Sequence, residues 1–253
     1  MKIIGVVHLK ALPGSPFYQN NLSEIYETAL EDSINLENGG VDGIIVENFG
    51  DVPFVKNSIS KLTLSHFTNI SKEIADSLNI DIGINVLRND GESALSIADS
   101  IKAAFVRINI LSGTMYTDQG IIQGEANKLM KLNNSLSSKI EIYADVFVKH
   151  AVPPVGYTIE NQTEELLLRA GANKIIITGD GTGKEINFEQ LEKVRGIVPK
   201  GQLAIGSGVN ESNIEKYKDI ADILIIGTGF KVNNDVAKPV DVKSVEKLIK
   251  MIK

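Results

Sequence analysis

A (β/α)8 barrel of parallel strands, in one domain spanning residues 1–253, is the fold this sequence predicts. Three observations predict it. Eight short runs rich in Ile and Val recur along the chain, helical patterns separate them, and each of the last two runs ends in a glycine turn. Eight βα units in unbroken series favour a closed barrel over an open sheet, and 253 residues is a usual length for one. No Pro/Ser-rich linker, charge block or low-complexity tract divides the chain.

In order, the strand runs are Ile3–Leu9, Gly43–Asn48, Ile80–Val86, Ala104–Ile110, Ile140–Val146, Lys174–Thr178, Gln202–Ile205 and Asp222–Ile226. The clearest helix is the last. Val242, Val245, Leu248, Ile249 and Ile252 recur at helical spacing behind Asp241 as N-cap. Asn210 is a similar cap, with Ile214 and Tyr217 on one face. Two β-to-α connections are long, Phe49 to about Ser60 and Phe147 to about Glu160, and long loops at the C-terminal ends of strands are candidate lids.

The glycine turns are Gly206-Ser207-Gly208, after Leu203-Ala204-Ile205, and Gly227-Thr228-Gly229, after Ile223-Leu224-Ile225-Ile226. In such barrels the loops after the last two strands often bind phosphate. Glycine lets the backbone approach an anion closely, and free N–H groups at a helix start donate to it. Each turn is expected to open toward a helical stretch. Either alone reads equally as a plain tight turn. Together, with Ser207 and Thr228 beside them, they point to an anion site.

Polarity inside the strands is the second signal. Side chains alternate faces, so Arg107 and Asn109 share one face of their strand while Val106, Ile108 and Ile110 share the other. Tyr143 and Asp145 likewise share a face, and His8, Glu47, Asn85 and Thr178 stand at or near strand ends. Helices cover the outside of a barrel, so the aliphatic faces point outward. The polar ones gather His8, Glu47, Asn85, Arg107, Asn109 and Asp145 about one axis. Bland readings stand beside this. Glu47 and Arg107 can be a structural ion pair, His8 a neutral core histidine, and Asn85 and Asn109 partners of loop backbone. Asp145 is harder to dismiss because Lys149 and His150 follow it closely.

Composition excludes several classes. A net charge of −6 and a pI near 5.2 give no global attraction to nucleic acid or anionic membrane. There is no cysteine, hence no disulfide and no thiolate chemistry. The apolar run Ile3–Leu9 is too short for a signal peptide core, and nothing approaches the roughly 20 residues of a membrane span. A cytoplasmic protein and a homo-oligomer are expected. Gly179-Asp180-Gly181-Thr182-Gly183-Lys184 imitates a nucleotide P-loop, but the opening glycine falls at Thr178 and Glu185 replaces the Ser or Thr after the lysine. Glu47, Asp145 and His150 are oxygen and nitrogen ligands by type, but no ligand-spacing motif joins them, so no cofactor is expected and a divalent metal stands as the lesser alternative.

Several longer motifs resemble the BtpA/SgcQ family. They include His8-Leu9-Lys10-Ala11-Leu12-Pro13-Gly14-Ser15-Pro16, Val46-Glu47-Asn48-Phe49-Gly50-Asp51-Val52-Pro53-Phe54 and Asn85-Val86-Leu87-Arg88-Asn89-Asp90. Thr117-Asp118-Gln119-Gly120, Ala144-Asp145-Val146-Phe147-Val148-Lys149-His150-Ala151, Gly206-Ser207-Gly208-Val209 and Gly227-Thr228-Gly229-Phe230-Lys231-Val232 continue the series. The likeness runs in order from about residue 3 to 245. It implies a TIM barrel of the ribulose-phosphate-binding type, and little chemistry. A cyanobacterial member is linked to photosystem I accumulation, and others occur in non-photosynthetic organisms. The loop Thr178–Gly183 departs from the resemblance in being richer in glycine.

The expectation is therefore an enzyme acting on a small phosphorylated metabolite, a sugar phosphate or nucleoside-type compound, by isomerisation, epimerisation or aldol-type cleavage. Glu47 and Asp145 are the acid/base candidates, with His8 beside them. Lys149 would neutralise an enolate or form a Schiff base, and Arg107 would orient a carboxylate or phosphate. Gly206, Ser207, Gly208, Gly227, Thr228 and Lys231 would hold the phosphate, with Asn85, Asn109 and Thr178 binding the rest of the substrate. The alternative is a non-catalytic assembly or regulatory protein that kept the barrel and its pocket.

Overall fold

Near-continuous Ile/Val runs are what strands buried on both faces require, and all eight form strands. In the computed structural model, which describes residues 1–179 and 186–252, they are β1 (Lys2–His8), β2 (Gly43–Glu47), β3 (Asp81–Asn85), β4 (Phe105–Ile108), β7 (Glu141–Val146), β9 (Lys174–Ile177), β10 (Leu203–Ile205) and β11 (Ile223–Ile226). They pair in parallel in that order, and β11 returns to β1 to close the barrel. The P-loop-like stretch lies largely outside the described residues.

Alternation divides each strand between two cores. Ile4, Val6, Ile45, Phe105, Tyr143, Ile176, Ala204, Ile223 and Ile225 pack inside the barrel. Val7, Ile44, Val46, Ile84, Val106, Ile108, Ile142 and Ile175 face outward into the larger core beneath the helices. The floor of the interior is aromatic. Phe105 stacks on Tyr143 with ring centroids 4.4 Å apart. Gly83 makes room for them, since a Cβ there would lie 2.3 Å from the Phe105 ring. With the floor plugged, the interior opens at the C-terminal mouth.

Helices α1 (Leu22–Asn38), α2 (Lys61–Ser77), α3 (Gly91–Ile101), α4 (Ala126–Ser135), α5 (Ile159–Leu168), α6 (Phe188–Ile197) and α7 (Val242–Ile252) lie among the strands in sequence. Asn21, Ser60, Asp90, Thr158 and Asn187 cap α1, α2, α3, α5 and α6, and Asp241 accepts from the Ser244 N–H at 3.1 Å to cap α7. None of the described helices is long and apolar enough to cross a membrane.

Two features differ from the sequence reading. The connection from β4 to α4 holds a hairpin, β5 (Thr114–Thr117) and β6 (Gly120–Gln123), which joins β8 (Ala151–Val152) in a three-stranded antiparallel sheet at the mouth. Thr117 pairs with Gly120 across Asp118-Gln119, and Met115 and Ile122 bury one face against Ile110 and Val148. This sheet ties down the long connection after β7. The other long connection is anchored too: Asp51 accepts from the Leu12 N–H at 2.8 Å and from Asn48 Nδ2 at 2.9 Å. The second difference follows the glycine turns. Both open into single 3-10 turns, Ile214–Tyr217 and Thr228–Phe230, rather than α-helices. Asn210 does not cap the first: its Oδ1 accepts from the Ser212 N–H at 2.9 Å ahead of the turn, whose N-cap is Asn213 with no side-chain capping bond. So short a turn adds little macrodipole, and an anion there depends on local N–H groups and cations.

Candidate functional site

The inward series on each strand ends in a polar group or a glycine. Strand parity carries Val6 to His8, Ile45 to Glu47, Gly83 to Asn85, Phe105 to Arg107, Tyr143 to Asp145, Ile176 to Thr178, Ala204 to Gly206 and Ile225 to Gly227. The top layer of the interior is thus a ring of candidate residues over an apolar floor.

Arg107 is its hub. Nε and Nη2 donate to the two oxygens of Asp145, each at 2.9 Å, and Nη1 reaches Glu47 Oε1 at 3.2 Å. All three groups are buried. Burial by itself would lower the Arg107 pKa, but Asp145 and then Glu47 overcome it and hold the guanidinium above its ordinary value. Asn109 Nδ2 donates to Asp145 Oδ2 at 3.3 Å. Asn85 Nδ2 donates to the Arg107 carbonyl at 2.9 Å and to Asn109 Oδ1 at 3.0 Å. The structural ion pair is therefore present, with Asp145 as its principal anion, and Asn85 also satisfies backbone.

Above this layer the mouth is a two-lobed cavity whose halves share Glu47, Arg107 and Lys149. The larger lobe, about 650 Å³, is lined by both glycine turns together with His8. Gly208 has φ +73°, a conformation that favours glycine. A Cβ on Gly227 would stand 2.9 Å from the His8 ring. Among the described residues none accepts from the N–H of Gly208 or of Thr228. Ser207 Oγ accepts from the Gly179 N–H at 2.8 Å.

Lys149 is aimed into the mouth by its backbone. Phe147 and His150 have φ of +50° and +58°, and the chain between them folds back over the barrel. The Lys149 N–H donates to Thr178 Oγ1 at 3.1 Å, and its carbonyl accepts from Arg88 Nη2 at 2.6 Å. Burial, then Arg107, lowers the Lys149 pKa, although Glu47 and Asp145 oppose this. Among the described residues no carboxylate lies within ion-pair distance of its ammonium. His8 is pushed down to about 3 by burial, then by Lys231, Lys149 and Arg107, so it is a neutral imidazole near pH 7. Its Nδ1 is buried without a partner, and its ring lies 4.6 Å from that of Phe49.

Two candidates stand apart. Asp145 does not line either lobe; its carboxylate lies covered beneath Arg107. Lys231 is buried against Asp32, whose other oxygen accepts from the Val240 N–H at 2.7 Å. Among the described residues no group of three metal-ligating side chains converges.

The smaller lobe, about 410 Å³, contains residues that sequence reasoning passed over. Arg88 is 4% exposed and lines it, with Phe54 and Leu87 as apolar wall. Asn48 fixes this loop by accepting from the Leu87 N–H at 2.7 Å, and Asn89 bridges both polar groups of the Ile110 backbone at 2.7 and 3.0 Å. Asp118 comes in from the hairpin. Arg88 and Asp118 both sit in motifs quoted above, and that was the available signal.

The profile of the BtpA family matches residues 1–253. The chain belongs to the BtpA family. An uncharacterized protein of Pyrococcus horikoshii is 41% identical over 251 residues, covering 99% of this chain and 95% of its own. The photosystem I biogenesis protein BtpA of Synechocystis is 39% identical over 239 residues, covering 94% and 83%. Among solved structures, phosphoribosyl anthranilate isomerase from Thermus thermophilus superposes with a TM-score of 0.58 at 11% identity, covering 99% of this chain and 98% of its own. At that identity the likeness speaks for the TIM-barrel fold alone. The family resemblance and the barrel expected from the sequence both hold.

Proposed function

We propose that this BtpA-family barrel is an enzyme acting on a small phosphorylated metabolite, as an isomerase, epimerase or aldol-type lyase. The observation that carries the reading is Lys149. Among the described residues, a half-buried lysine with a lowered pKa and no ion-pair partner faces a cavity that also presents Glu47 and the two glycine turns, where the Gly208 and Thr228 N–H groups have no acceptor. A scaffold needs no such group; carbonyl chemistry does.

The phosphate would rest on the N–H groups of Gly208 and Thr228, with Lys149 as nearest uncompensated cation. Lys149 would then neutralise charge developing on a substrate carbonyl oxygen, or add to that carbonyl with loss of water as a Schiff base. Glu47 would take the proton from the adjacent carbon. His8, neutral, would serve as a hydrogen-bond partner and not as an acid. Asp145 would act through Arg107, holding its fork flat beneath the substrate. The name of the Synechocystis relative belongs to that protein, and a polar, cation-bearing mouth favours the enzyme here.

A thermal-shift screen against inorganic phosphate, sugar phosphates and nucleotides tests this. A ligand at 100 times its Kd stabilises by about 2.7 kcal/mol. For a chain of this length that raises Tm by about 5–10 °C. No shift with any phosphorylated compound would refute the proposal.

A further inference from the structure

The smaller lobe has a chemistry of its own. One wall is apolar, made by Phe49, Phe54 and Leu87. Two residues that line the same lobe, Asn85 and Arg88, each keep one buried polar atom with nothing to bond. Asn85 is 1% exposed, and both its Nδ2 contacts are to acceptors, which fixes the amide and leaves Oδ1 as an unpartnered acceptor. Arg88 spends Nη2 on the Lys149 carbonyl and leaves Nε as an unpartnered donor. Among the described residues no carboxylate lies within ion-pair distance of Arg88. Burial lowers its pKa, yet a guanidinium stays charged in proteins.

An unsatisfied buried donor and acceptor each cost free energy and call for a ligand that supplies both complements. The apolar wall calls for a flat group. The lobe adjoins the glycine-lined lobe, with Glu47, Arg107 and Lys149 lining both, so one ligand can reach from one to the other. Together the lobes have the size of a small-molecule site.

We propose that the ligand is nucleotide-like: a phosphate in the glycine lobe joined through a sugar to a flat ring in the smaller lobe. The ring carries an amide edge whose N–H donates to Asn85 Oδ1 and whose carbonyl accepts from Arg88 Nε. This rests on the phosphate reading above and adds the identity of the other end. Arg88 and Asn85 become specificity-determining residues, and the ring distinguishes the ligand from a simple sugar phosphate.

Calorimetry with ribose 5-phosphate, uridine 5′-monophosphate and its N3-methyl derivative tests it, because uracil presents such an edge and methylation removes the N–H. We expect uridine 5′-monophosphate to bind at least tenfold more tightly than ribose 5-phosphate. N3-methylation, Arg88→Gln and Phe54→Ala should each erase most of that gain, with ribose 5-phosphate binding unchanged in Phe54→Ala. Phe54 is partly exposed and not on the barrel wall, so its variant carries the test should Arg88→Gln misfold. Equal binding of the first two compounds, or a gain that survives methylation and both variants, overturns the inference while leaving the phosphate reading intact. Failure of ribose 5-phosphate and of inorganic phosphate to bind refutes the phosphate reading, and this inference with it.

Discussion

Asp145→Asn separates a structural from a catalytic role for the most deeply placed carboxylate. The substitution keeps shape and removes charge. In the native barrel both Asp145 oxygens accept from Arg107 at 2.9 Å, and its side chain has no exposed surface. Asparagine offers one acceptor where there were two and turns an N–H₂ toward a guanidinium that has only donors. Glu47 at 3.2 Å then remains as the one counter-charge of Arg107 among the described residues. Breaking a buried pair by removing one partner costs about 3–5 kcal/mol. Because Glu47 still compensates in part, the lower end applies, and Tm should fall by about 6–12 °C for a chain of this length. Arg107→Lys should not rescue it, since an ammonium cannot restore the planar fork. Differential scanning calorimetry and urea unfolding of the variant give the magnitude. A loss under about 1 kcal/mol, with turnover of an identified substrate down by 10²–10⁴-fold, would refute the structural assignment and restore Asp145 as acid or base.

Gly208→Val should fold, with a small loss of Tm from its φ of +73°, and should lose stabilisation by inorganic phosphate; unchanged stabilisation, with circular dichroism as the check on folding, counts against the anion lobe. His8 has a folded pKa near 3 against 6.5 for the unfolded ring, so its contribution to stability is complete above pH 6.5 and is lost as pH falls toward 3. The ceiling of that loss is about 5 kcal/mol, and His8→Asn should flatten the acid limb; an NMR midpoint for His8 above about 5.5 would contradict it. Lys149, reductively methylated with a carbon-13 label, should titrate below the exposed lysines and move back up when inorganic phosphate binds; titration alongside the other lysines would remove the basis for its proposed chemistry.

The barrel was legible because closure demands strands buried on both faces, and Ile/Val runs are their signature. The mouth was legible because strand parity is rigid: once Val106 and Ile108 face the helices, Arg107 must face the axis. The β5–β6 hairpin was not read, although Gly113 and Gly124 flank two four-residue runs separated by Asp118-Gln119. Its strands lie outside the βα rhythm, and that rhythm led the reading. Loop residues escaped for another reason. Arg88, Asn48 and Asn89 stand beyond the strand ends, where parity no longer applies, and their positions follow from cross-loop hydrogen bonds that sequence spacing does not encode. Lys231 illustrates the converse. It follows a glycine turn and so looks like a phosphate ligand, but its partner Asp32 lies 199 positions away on α1.

The vertical order of the interior bears on function more than any single residue does. Between the mouth and the N-terminal rim the inward positions are aliphatic, aromatic or glycine, with Phe105 stacked on Tyr143 across the interior. Charge stands at the two rims: Lys2 with Asp81 and Lys174 with Glu141 at the N-terminal one, both partly exposed, and the buried triad at the mouth. Apolar replacement of a buried ion pair is often neutral or stabilising, so stability alone does not account for Arg107, Glu47 and Asp145 at that level. What the triad does provide is a flat, immobile guanidinium whose charge is already balanced. Ligand charge must then be met by Lys149, which stands over the triad on a loop joined to that of Arg88 by the bond from Arg88 to the Lys149 carbonyl. A barrel serving only as a scaffold would have no reason to balance one cation completely and leave two others lining the mouth, Arg88 buried and Lys149 half-buried, without a carboxylate partner among the described residues.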